Sequence, residues 1–214
     1  GEPYFPRLVL DQGLWPEGHL APPSLAALRR DAALAKALGF NGVRKHQKVE
    51  DPRYLHLADR LGLLVFAEMP SFFRFSPKAA RRYLAELAEA LVWVVFNEGW
   101  GLTPWRAETL AFLQGAFLLA RALDPTRLLV DNDGFEHGPF WDLLTVHDYA
   151  PPEVLARRYG EGLPEAPMGR PLALAGLPPG VRPFLSEFGG LRLKGPGPGW
   201  GYREAEGEEA FLRE

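Results

Sequence analysis

The chain has 214 residues, 47% of them hydrophobic, which is enough to bury the core of one ordinary domain or of a slightly small α/β barrel. Its 24 basic and 27 acidic residues are spread along the chain and leave a formal net charge of -3, so no basic stripe indicates a nucleic-acid partner. Cysteine is absent, which excludes disulfides and thiolate metal sites. No apolar run reaches the roughly 18 residues of a membrane span, and we expect a cytoplasmic protein without a membrane partner. The excess of arginine over lysine and the scarcity of Asn and Gln are compatible with a thermophilic source.

Short apolar runs alternate with longer amphipathic segments, a pattern typical of βα units around a parallel sheet. The clearest helix is predicted over residues 24–38, where Ser24 can cap the start and Gly39 ends the helix. A second helix is predicted over residues 51–61, with Asp51 as its cap and Gly62 beyond its end. Strands are predicted over residues 7–10, 42–44, 63–67, 91–96, 127–130, 143–146 and 183–186.

The remaining segments depart from a regular βα alternation. A helix over residues 79–90 runs into the fourth strand without a turn residue, so either a loop is missing from the chain or the turn is unusual. Residues 151–183, rich in Pro and Gly, are predicted to form a long excursion before strand seven. Residues 189–201 are predicted as a loop, residues 203–214 as the beginning of an acidic helix, and no eighth strand is predicted.

Every predicted strand ends in, or is followed by, polar or titratable residues. Because the carboxyl ends of parallel strands share one face, and in α/β barrels that face carries the active site, these residues predict a polar ring. The alternative that they only solvate the starts of loops stays open. In chain order they are Asp11, Arg44 with His46, Glu68, Asn97 with Glu98, Asp131 with Asp133, His147 with Asp148, and Glu187.

Glu98 and Glu187 follow strands four and seven, which lie across the mouth of a barrel from each other. Cleavage of a glycosidic bond with retention needs one carboxyl group that protonates the leaving oxygen and a second that attacks the anomeric carbon, about 5 to 5.5 Å apart. The pair therefore predicts Glu98 as the general acid/base and Glu187 as the nucleophile. Asn97 could hydrogen-bond the sugar hydroxyl beside the anomeric centre.

Four motifs resemble the catalytic barrel domain of family 2 glycoside hydrolases, the β-galactosidase, β-glucuronidase and β-mannosidase group. They are residues 40–44 (FNGVR), residues 59–65 with 68–70 (DRLGLLV and EMP), residues 96–98 (FNE) and residues 186–189 (SEFG). Their order along the chain is that of the family. The resemblance implies a (β/α)8 TIM-type barrel and a retaining β-glycosidase, β-galactosidase-like, that works by double displacement through a covalent glycosyl-enzyme without a cofactor.

The resemblance also implies roles for single residues. Tyr149 matches the tyrosine that supports the nucleophile, and Arg44 would orient Glu187 or lower its pKa, although a structural ion pair remains an equal alternative. Apart from the resemblance, His46 and His147 are predicted to bind sugar hydroxyls, with a role as metal ligands as the alternative. Asp11 and Trp100 complete the predicted substrate-binding set, Trp100 as a stacking surface for a sugar, with packing as the alternative for each tryptophan considered alone.

Three features depart from the family pattern. His46 lies two residues beyond Arg44 where the family commonly has three, the polar turn before strand four is absent, and the strand-eight tryptophan and upstream β-sandwich domains are missing. We therefore expect residues 1–214 to form a single catalytic domain, truncated before strand eight, from a longer multidomain chain. The strand edges beside the missing strand would need a cover, which a homo-oligomer or the longer chain could supply.

Two alternative functions remain at the level of sequence. One is an inactive, truncated barrel that binds carbohydrate or merely folds. The other is a metal-dependent barrel hydrolase, against which the first strand is followed by Asp11-Gln12-Gly13 instead of a His-x-His pair, so we predict no metal. The substrate is predicted to be a small-molecule or oligosaccharide β-glycoside, with β-galactoside the first choice.

Overall fold

The computed structural model of the chain describes residues 4–89, 93–161 and 167–213. Its helices and strands alternate through most of the chain, as the sequence predicts. The elements are β1 (Leu8–Asp11), α1 (Leu25–Ala37), β2 (Gly42–Lys45), α2 (Pro52–Leu61), β3 (Leu64–Ala67), α3 (Pro77–Glu89), β4 (Val94–Asn97), α4 (Ala107–Leu123), β5 (Val130–Asp133), β6 (Thr145–His147), α5 (Pro152–Glu161), β7 (Phe184–Glu187), β8 (Leu191–Leu193), β9 (Arg203–Ala205) and α6 (Glu208–Arg213).

Strands β1 to β7 follow one another in space in the order of the chain. β1, β2 and β3 form a parallel sheet, β4 pairs with β5 and β6 pairs with β7, all in parallel. A parallel bridge between Glu68 and Val94 joins β3 to β4. The amide of His147 donates to the carbonyl of Gly134, 3.4 Å away, and thereby links β6 to the end of β5. All seven strands therefore point the same way and end at a common side.

The first two helices begin and end where their capping residues stand. The Ser24 hydroxyl accepts a hydrogen bond from the amide of Ala27 at the start of α1, and the Asp51 carboxylate accepts one from Arg53 at the start of α2. Gly62 ends α2 in the left-handed conformation, with φ 64°, which glycine adopts without steric cost. Both predicted helices are confirmed. Within the described ranges, no helix is long and apolar enough to cross a membrane.

Apolar side chains bury the helices against the strands in two outer clusters and link the strands through one inner cluster. One outer cluster joins α1 and α2 to β2, and the other joins α3 and α4 to β4, where the rings of Tyr83 and Phe96 stack with centroids 4.5 Å apart. The inner cluster contains Phe66 of β3, Val94 of β4 and Val130 of β5. It fixes the strands relative to one another and thus holds their carboxyl ends in place.

Four predicted boundaries need correction. The fifth strand runs from Val130 to Asp133 instead of over residues 127–130, so Asp131 and Asp133 lie within it. The predicted loop over residues 189–201 contains β8, which pairs with β9, and the predicted helix over residues 203–214 begins as β9 and becomes helical only at Glu208. The predicted excursion over residues 151–183 contains α5. The junction of the helix predicted over residues 79–90 with the strand predicted over residues 91–96, where a missing loop or an unusual turn was expected, lies outside the described residues, as does residue 214.

Candidate active site

Glu98 stands directly after β4, at the first residue of a tight turn. Its backbone has φ 51°, in the left-handed region that costs a non-glycine residue about 1–2 kcal/mol. Two hydrogen bonds hold the turn: the Glu98 amide donates to the carbonyl of Asp133 at 2.9 Å, and the Gly99 amide donates to the Asn132 side chain at 2.7 Å. Neighbouring β5 thus fixes the backbone of the predicted acid/base residue.

Glu187 is the last residue of β7, and both of its carboxylate oxygens have partners. Oε1 pairs with the Arg44 guanidinium, and Oε2 accepts a hydrogen bond from the Tyr149 hydroxyl at 2.5 Å. Burial and the Glu187 charge raise the pKa of Tyr149 above its usual value, so the phenol stays protonated and donates. The side chain of Glu187 is only 10% exposed. The predicted nucleophile is therefore an oriented, nearly buried carboxylate.

Glu98, His147 and Glu187 converge at the carboxyl ends of β4, β6 and β7. One ligand atom from each of the three side chains lies within 4.8 Å of the others. The two predicted catalytic carboxyl groups, 89 positions apart in the chain, thus come close enough to act on one bond.

Arg44 is a buried cation, 2% exposed, at the centre of the strand ends. Its Nη2 lies 2.7 Å from Asp133 Oδ2 and 2.9 Å from Glu68 Oε2, and it donates to Asn97 Oδ1 at 2.8 Å. Burial lowers the pKa of the guanidinium, but the charges of its carboxylate partners, Asp133 first, raise it more, so Arg44 stays charged. One cation thus neutralises part of the charge of three carboxylates, those of Glu68, Asp133 and Glu187. The predicted action of Arg44 on Glu187 and its alternative, a structural ion pair, describe the same contact.

His147 is fully buried between carboxylates. Its Nδ1 lies 2.7 Å from Glu98 Oε1, and its Nε2 lies 3.5 Å from Asp133 Oδ2 and from Glu187 Oε1. Burial lowers its pKa, but Asp133 and the other carboxylates raise it more, to about 9, so the imidazole is cationic at neutral pH. Burial raises the pKa of Glu98, yet the hydrogen bond and charge of His147 outweigh burial and lower it. His147 therefore acts on the carboxyl groups of Glu98 and Glu187, a role that the prediction of a sugar-hydroxyl donor did not include.

The raised pKa of His147 predicts a pH dependence of stability. A histidine whose folded pKa lies above its unfolded value of about 6.5 stabilises the fold fully below pH 6.5 and loses this contribution as the pH rises through about 9. We expect the free energy of unfolding, measured by urea denaturation, to fall between pH 6.5 and 9, and the fall to be smaller in His147→Gln. An equal fall in the variant would contradict the assignment. Exposed His56→Gln is the control.

The other predicted site residues separate into two groups. His46 lies in the site, with Nδ1 3.0 Å from Glu68 Oε2 and 3.7 Å from Glu187 Oε1. Asn97 contacts Arg44, as described above. Asp11, in contrast, pairs with Lys45 and accepts a hydrogen bond from the Gly13 amide at 2.7 Å. Asp11 therefore contacts polar groups of β2 and of the loop after β1, and it is not among the partners of Glu98 or Glu187 described above.

Two groups of aromatic rings lie close to the predicted catalytic carboxylates. Trp100, 49% exposed and two residues after Glu98, meets Phe73 edge to face, with ring centroids 5.9 Å apart. Near Glu187, Tyr202 stacks on Tyr149 at 3.4 Å and in turn meets Trp200. Flat apolar rings of this kind offer stacking surfaces to sugar rings. Trp100, predicted as a stacking residue, is thus exposed near Glu98, the predicted acid/base residue.

Glu68 and Asp133 were predicted as members of the polar ring but not as catalytic or substrate-binding residues, and Tyr202 was not predicted in the site. Glu68 and Asp133 are buried carboxylates that hold Arg44, and Asp133 also accepts a hydrogen bond from Ser186 at 2.6 Å. Their position at strand ends placed them in the predicted ring but did not reveal their shared contact with Arg44. Tyr202 had no such signal, because only the fold brings β9 beside Tyr149.

Glu98, His147 and Glu187 are also the group that could hold a metal ion among the described residues. A histidine must lose its proton to bind a metal, whereas the carboxylates around His147 favour the protonated form. A metal would also compete with Arg44 and Tyr149 for Glu187. The donor set therefore fits a metal poorly, and the absence of one stays a prediction.

Solved structures of carbohydrate-cleaving enzymes share the architecture described above. A β-glucuronidase from Bacteroides uniformis matches 75% of this chain and 24% of its own, with a TM-score of 0.57 and 17% identity. The chain has the fold of part of a β-glucuronidase. A β-D-glucuronidase from Dictyoglomus thermophilum covers 69% of this chain and 30% of its own (TM-score 0.55, 16% identity), and one from Parabacteroides merdae with glycerol in its active site covers 60% and 18% (TM-score 0.55, 22% identity).

The likeness confirms, at the level of the fold, the predicted resemblance to the family 2 glycoside hydrolases. The chain spans less than a third of the length of each of these three structures. No family model and no curated protein sequence matches it.

Proposed function

We propose that the chain is the catalytic part of a family 2, retaining β-glycosidase in which Glu187 is the nucleophile and Glu98 the general acid/base. The proposal rests on one observation: carboxylate oxygens of Glu98 and Glu187 lie within 4.8 Å of each other at the ends of β4 and β7. Retaining enzymes hold their two carboxyl groups about 5 to 5.5 Å apart, whereas inverting enzymes need about 6.5 to 9.5 Å to admit a water molecule. The short separation favours retention.

In the first step, a Glu187 oxygen forms a bond to the anomeric carbon while the glycosidic C–O bond breaks. Arg44 and Tyr149 hold the two oxygens of Glu187, so its orientation is set before the substrate binds. A proton from Glu98 passes to the leaving oxygen, which departs as an alcohol. In the second step Glu98 takes a proton from water, and the resulting hydroxide equivalent displaces Glu187 from the sugar.

The proton for the first step is already present in the pair of Glu98 and His147. In the free protein it resides on the imidazole, and transfer across the 2.7 Å hydrogen bond from Nδ1 to Oε1 gives a neutral histidine and a neutral carboxylic acid. Burial favours the neutral pair over the charged one. A substrate that excludes water from this partly exposed carboxylate therefore promotes the acid form of Glu98.

We propose that strands β1 to β7 belong to a (β/α)8 barrel. Support comes from contacts between strands that are not neighbours in the chain order. The rings of Phe66 on β3 and Phe184 on β7 stack with centroids 6.0 Å apart, and Arg44 of β2 pairs with Glu187 of β7. A sheet that curves back on itself makes such contacts, whereas a flat sheet does not.

The proposed substrates are β-linked glycosides of small molecules or oligosaccharides. The motifs suggest β-galactosides, β-glucuronides and β-mannosides, with β-galactosides as the first choice, whereas the fold relatives are β-glucuronidases and give β-glucuronides equal weight. The direct test is hydrolysis of a panel of aryl β-glycosides of these sugars, with the first product observed by NMR. We expect the β-anomer to form first. An α-anomer as first product would contradict retention, and no turnover of any sugar would favour a carbohydrate-binding barrel without activity.

Replacement of Glu98 provides a separate prediction. We expect Glu98→Ala to lower kcat/KM by about 10²- to 10⁴-fold for glycosides of poorly acidic alcohols, because these leaving groups need the proton. For glycosides of dinitrophenol, which leaves without protonation, kcat/KM should fall far less. Azide should accelerate the turnover of these glycosides, because it replaces water as the acceptor of the sugar. Equal losses for both leaving groups, without an effect of azide, would contradict the acid/base role. Exposed Glu108→Ala in α4 is the control.

A further inference from the structure

Arg170 lies beside the turn that carries Glu98, within the long connection between α5 and β7. Its chain segment is anchored to the loop after β5 by backbone hydrogen bonds. The amide of Glu136 donates to Pro171 at 2.8 Å, the amide of His137 donates to Leu172 at 2.9 Å, and the amide of Leu174 donates back to His137 at 2.9 Å. The backbone that presents Arg170 is therefore fixed relative to β5.

The guanidinium of Arg170 connects this segment to the backbone of Glu98. Its Nη2 donates to the Glu98 carbonyl at 3.1 Å and to Glu136 Oε2 at 2.7 Å, and its Nε donates to Glu136 Oε1 at 3.4 Å. Trp105 donates its indole N–H to the same Glu136 carboxylate at 2.7 Å, and the guanidinium lies 4.9 Å from the ring centroid of Phe135. Arg170 is thus held on several sides while it contacts the peptide after Glu98.

This contact meets a specific need of the Glu98 backbone. With φ 51°, Glu98 adopts a conformation that L residues avoid, and its amide and the amide of Gly99 are already held by Asp133 and Asn132. The Glu98 carbonyl also accepts a hydrogen bond, from Arg170. A displacement of this turn would carry the Cα of Glu98, and with it the carboxylate, away from His147, so a contact that holds the Glu98 carbonyl bears on where the carboxyl group lies.

We propose that Arg170, together with Glu136, is a positioning residue that locks the peptide after Glu98 and so keeps the carboxyl group in line with the leaving oxygen. The inference rests on the proposed function. It predicts a loss that is confined to the step in which Glu98 donates its proton, because Arg170 reaches the reaction only through Glu98. A displacement of about 1 Å can lower a rate by about 100-fold.

The test uses the protein in its natural full-length form. It compares the variants Arg170→Met, Arg170→Lys and Glu136→Gln with the unmodified protein. We expect Arg170→Met to lower kcat/KM by about 10- to 100-fold for a glycoside of a poorly acidic phenol and by less than about threefold for the dinitrophenyl glycoside of the same sugar. Arg170→Lys, which can still donate to the carbonyl, should recover part of the loss, and Glu136→Gln should show a weaker form of the same selectivity.

Arg121→Met is a matched control. Arg121 is 31% exposed against 32% for Arg170, and it too donates to a backbone carbonyl, that of Arg127, and pairs with a carboxylate, that of Asp142. We expect its removal to affect both leaving groups equally or not at all.

Each outcome decides either the positioning role of Arg170 or the proposed glycosidase function. Equal losses for both leaving groups, or a raised KM with unchanged kcat, would overturn the positioning role, the second result because it indicates a direct contact with substrate. Selective loss with partial recovery in Arg170→Lys supports it. If the unmodified protein hydrolyses neither glycoside, the proposed function is overturned and this inference with it.

Discussion

We expect Glu187→Gln to lower kcat for every β-glycoside that the protein hydrolyses by on the order of 10⁴-fold or more, because the amide cannot form the covalent intermediate. The substitution preserves the size of the side chain, so the fold and the contact of its oxygen with Arg44 can persist. The measurement is steady-state hydrolysis of the aryl β-glycoside with the highest turnover, with thermal unfolding of the variant recorded in parallel.

The control for this prediction is Glu153→Gln, an exposed glutamate at the start of α5. It removes the same charge and should leave kcat within about twofold, since surface substitutions of this kind rarely disturb a protein. Residual turnover of Glu187→Gln at a tenth of the normal rate or more, in a folded protein, would show that another group forms the bond to the sugar.

We expect Arg44→Met to lower both the stability of the protein and its activity. The substitution leaves Glu68, Asp133 and Glu187 without their shared cation in a buried site, and removal of one partner from a buried ion pair costs about 3–5 kcal/mol. We expect a loss of this size in the free energy of unfolding, measured by urea denaturation at pH 7, together with loss of hydrolysis.

The pH dependence of this loss identifies its cause. Burial raises the pKa of Asp133, but Arg44 and His147 lower it more, to well below its usual value. A carboxyl group with a lowered folded pKa stabilises the fold above its unfolded pKa of about 3.9 and loses this contribution as the pH falls further. Without Arg44 these carboxylates gain from protonation, so the deficit of Arg44→Met should shrink as the pH falls from 7 towards 4.

Arg213→Met provides the comparison for Arg44→Met. Arg213 pairs with Glu209 on the surface of α6 and is 75% exposed, and such pairs contribute about 0.3–0.5 kcal/mol. A loss in Arg44→Met no larger than that in Arg213→Met, or a deficit that is independent of pH, would contradict a central role of Arg44 in charge balance.

The sequence predicted most strands because apolar runs and turn residues are local signals, and it failed where burial depends on distant partners. Residues 131–133 are polar, and their burial in β5 depends on partners that the local sequence does not reveal. Asp131 pairs with His137, Asn132 accepts a hydrogen bond from the Gly99 amide, and Asp133 pairs with Arg44. The segment over residues 189–201 contains many Gly and Pro residues, yet β8 forms because β9 returns beside it and Tyr202 packs on Tyr149.

The same distinction applies to the site. Glu98, Glu187 and Arg44 were predicted because each stands at a strand end, a position that the chain itself marks. The contact of His147 with Glu98 depends on the approach of β6 to β4, and the contact of Arg170 with Glu98 joins positions that are 72 residues apart. No local pattern encodes these partners, and they emerge only when the strands are assembled.

Covalent trapping of the glycosyl-enzyme identifies the residue that attacks the sugar. The protein would be treated with a 2-fluoro β-glycoside of its preferred sugar, or with a cyclophellitol aziridine of the type that binds covalently to a Bacteroides uniformis β-glucuronidase, and its peptides would be analysed by mass spectrometry. We predict one added sugar, attached to Glu187, and no labelling of Glu187→Gln. A label on Glu98, or continued hydrolysis without any trapped intermediate, would contradict the assignment of Glu187 as nucleophile.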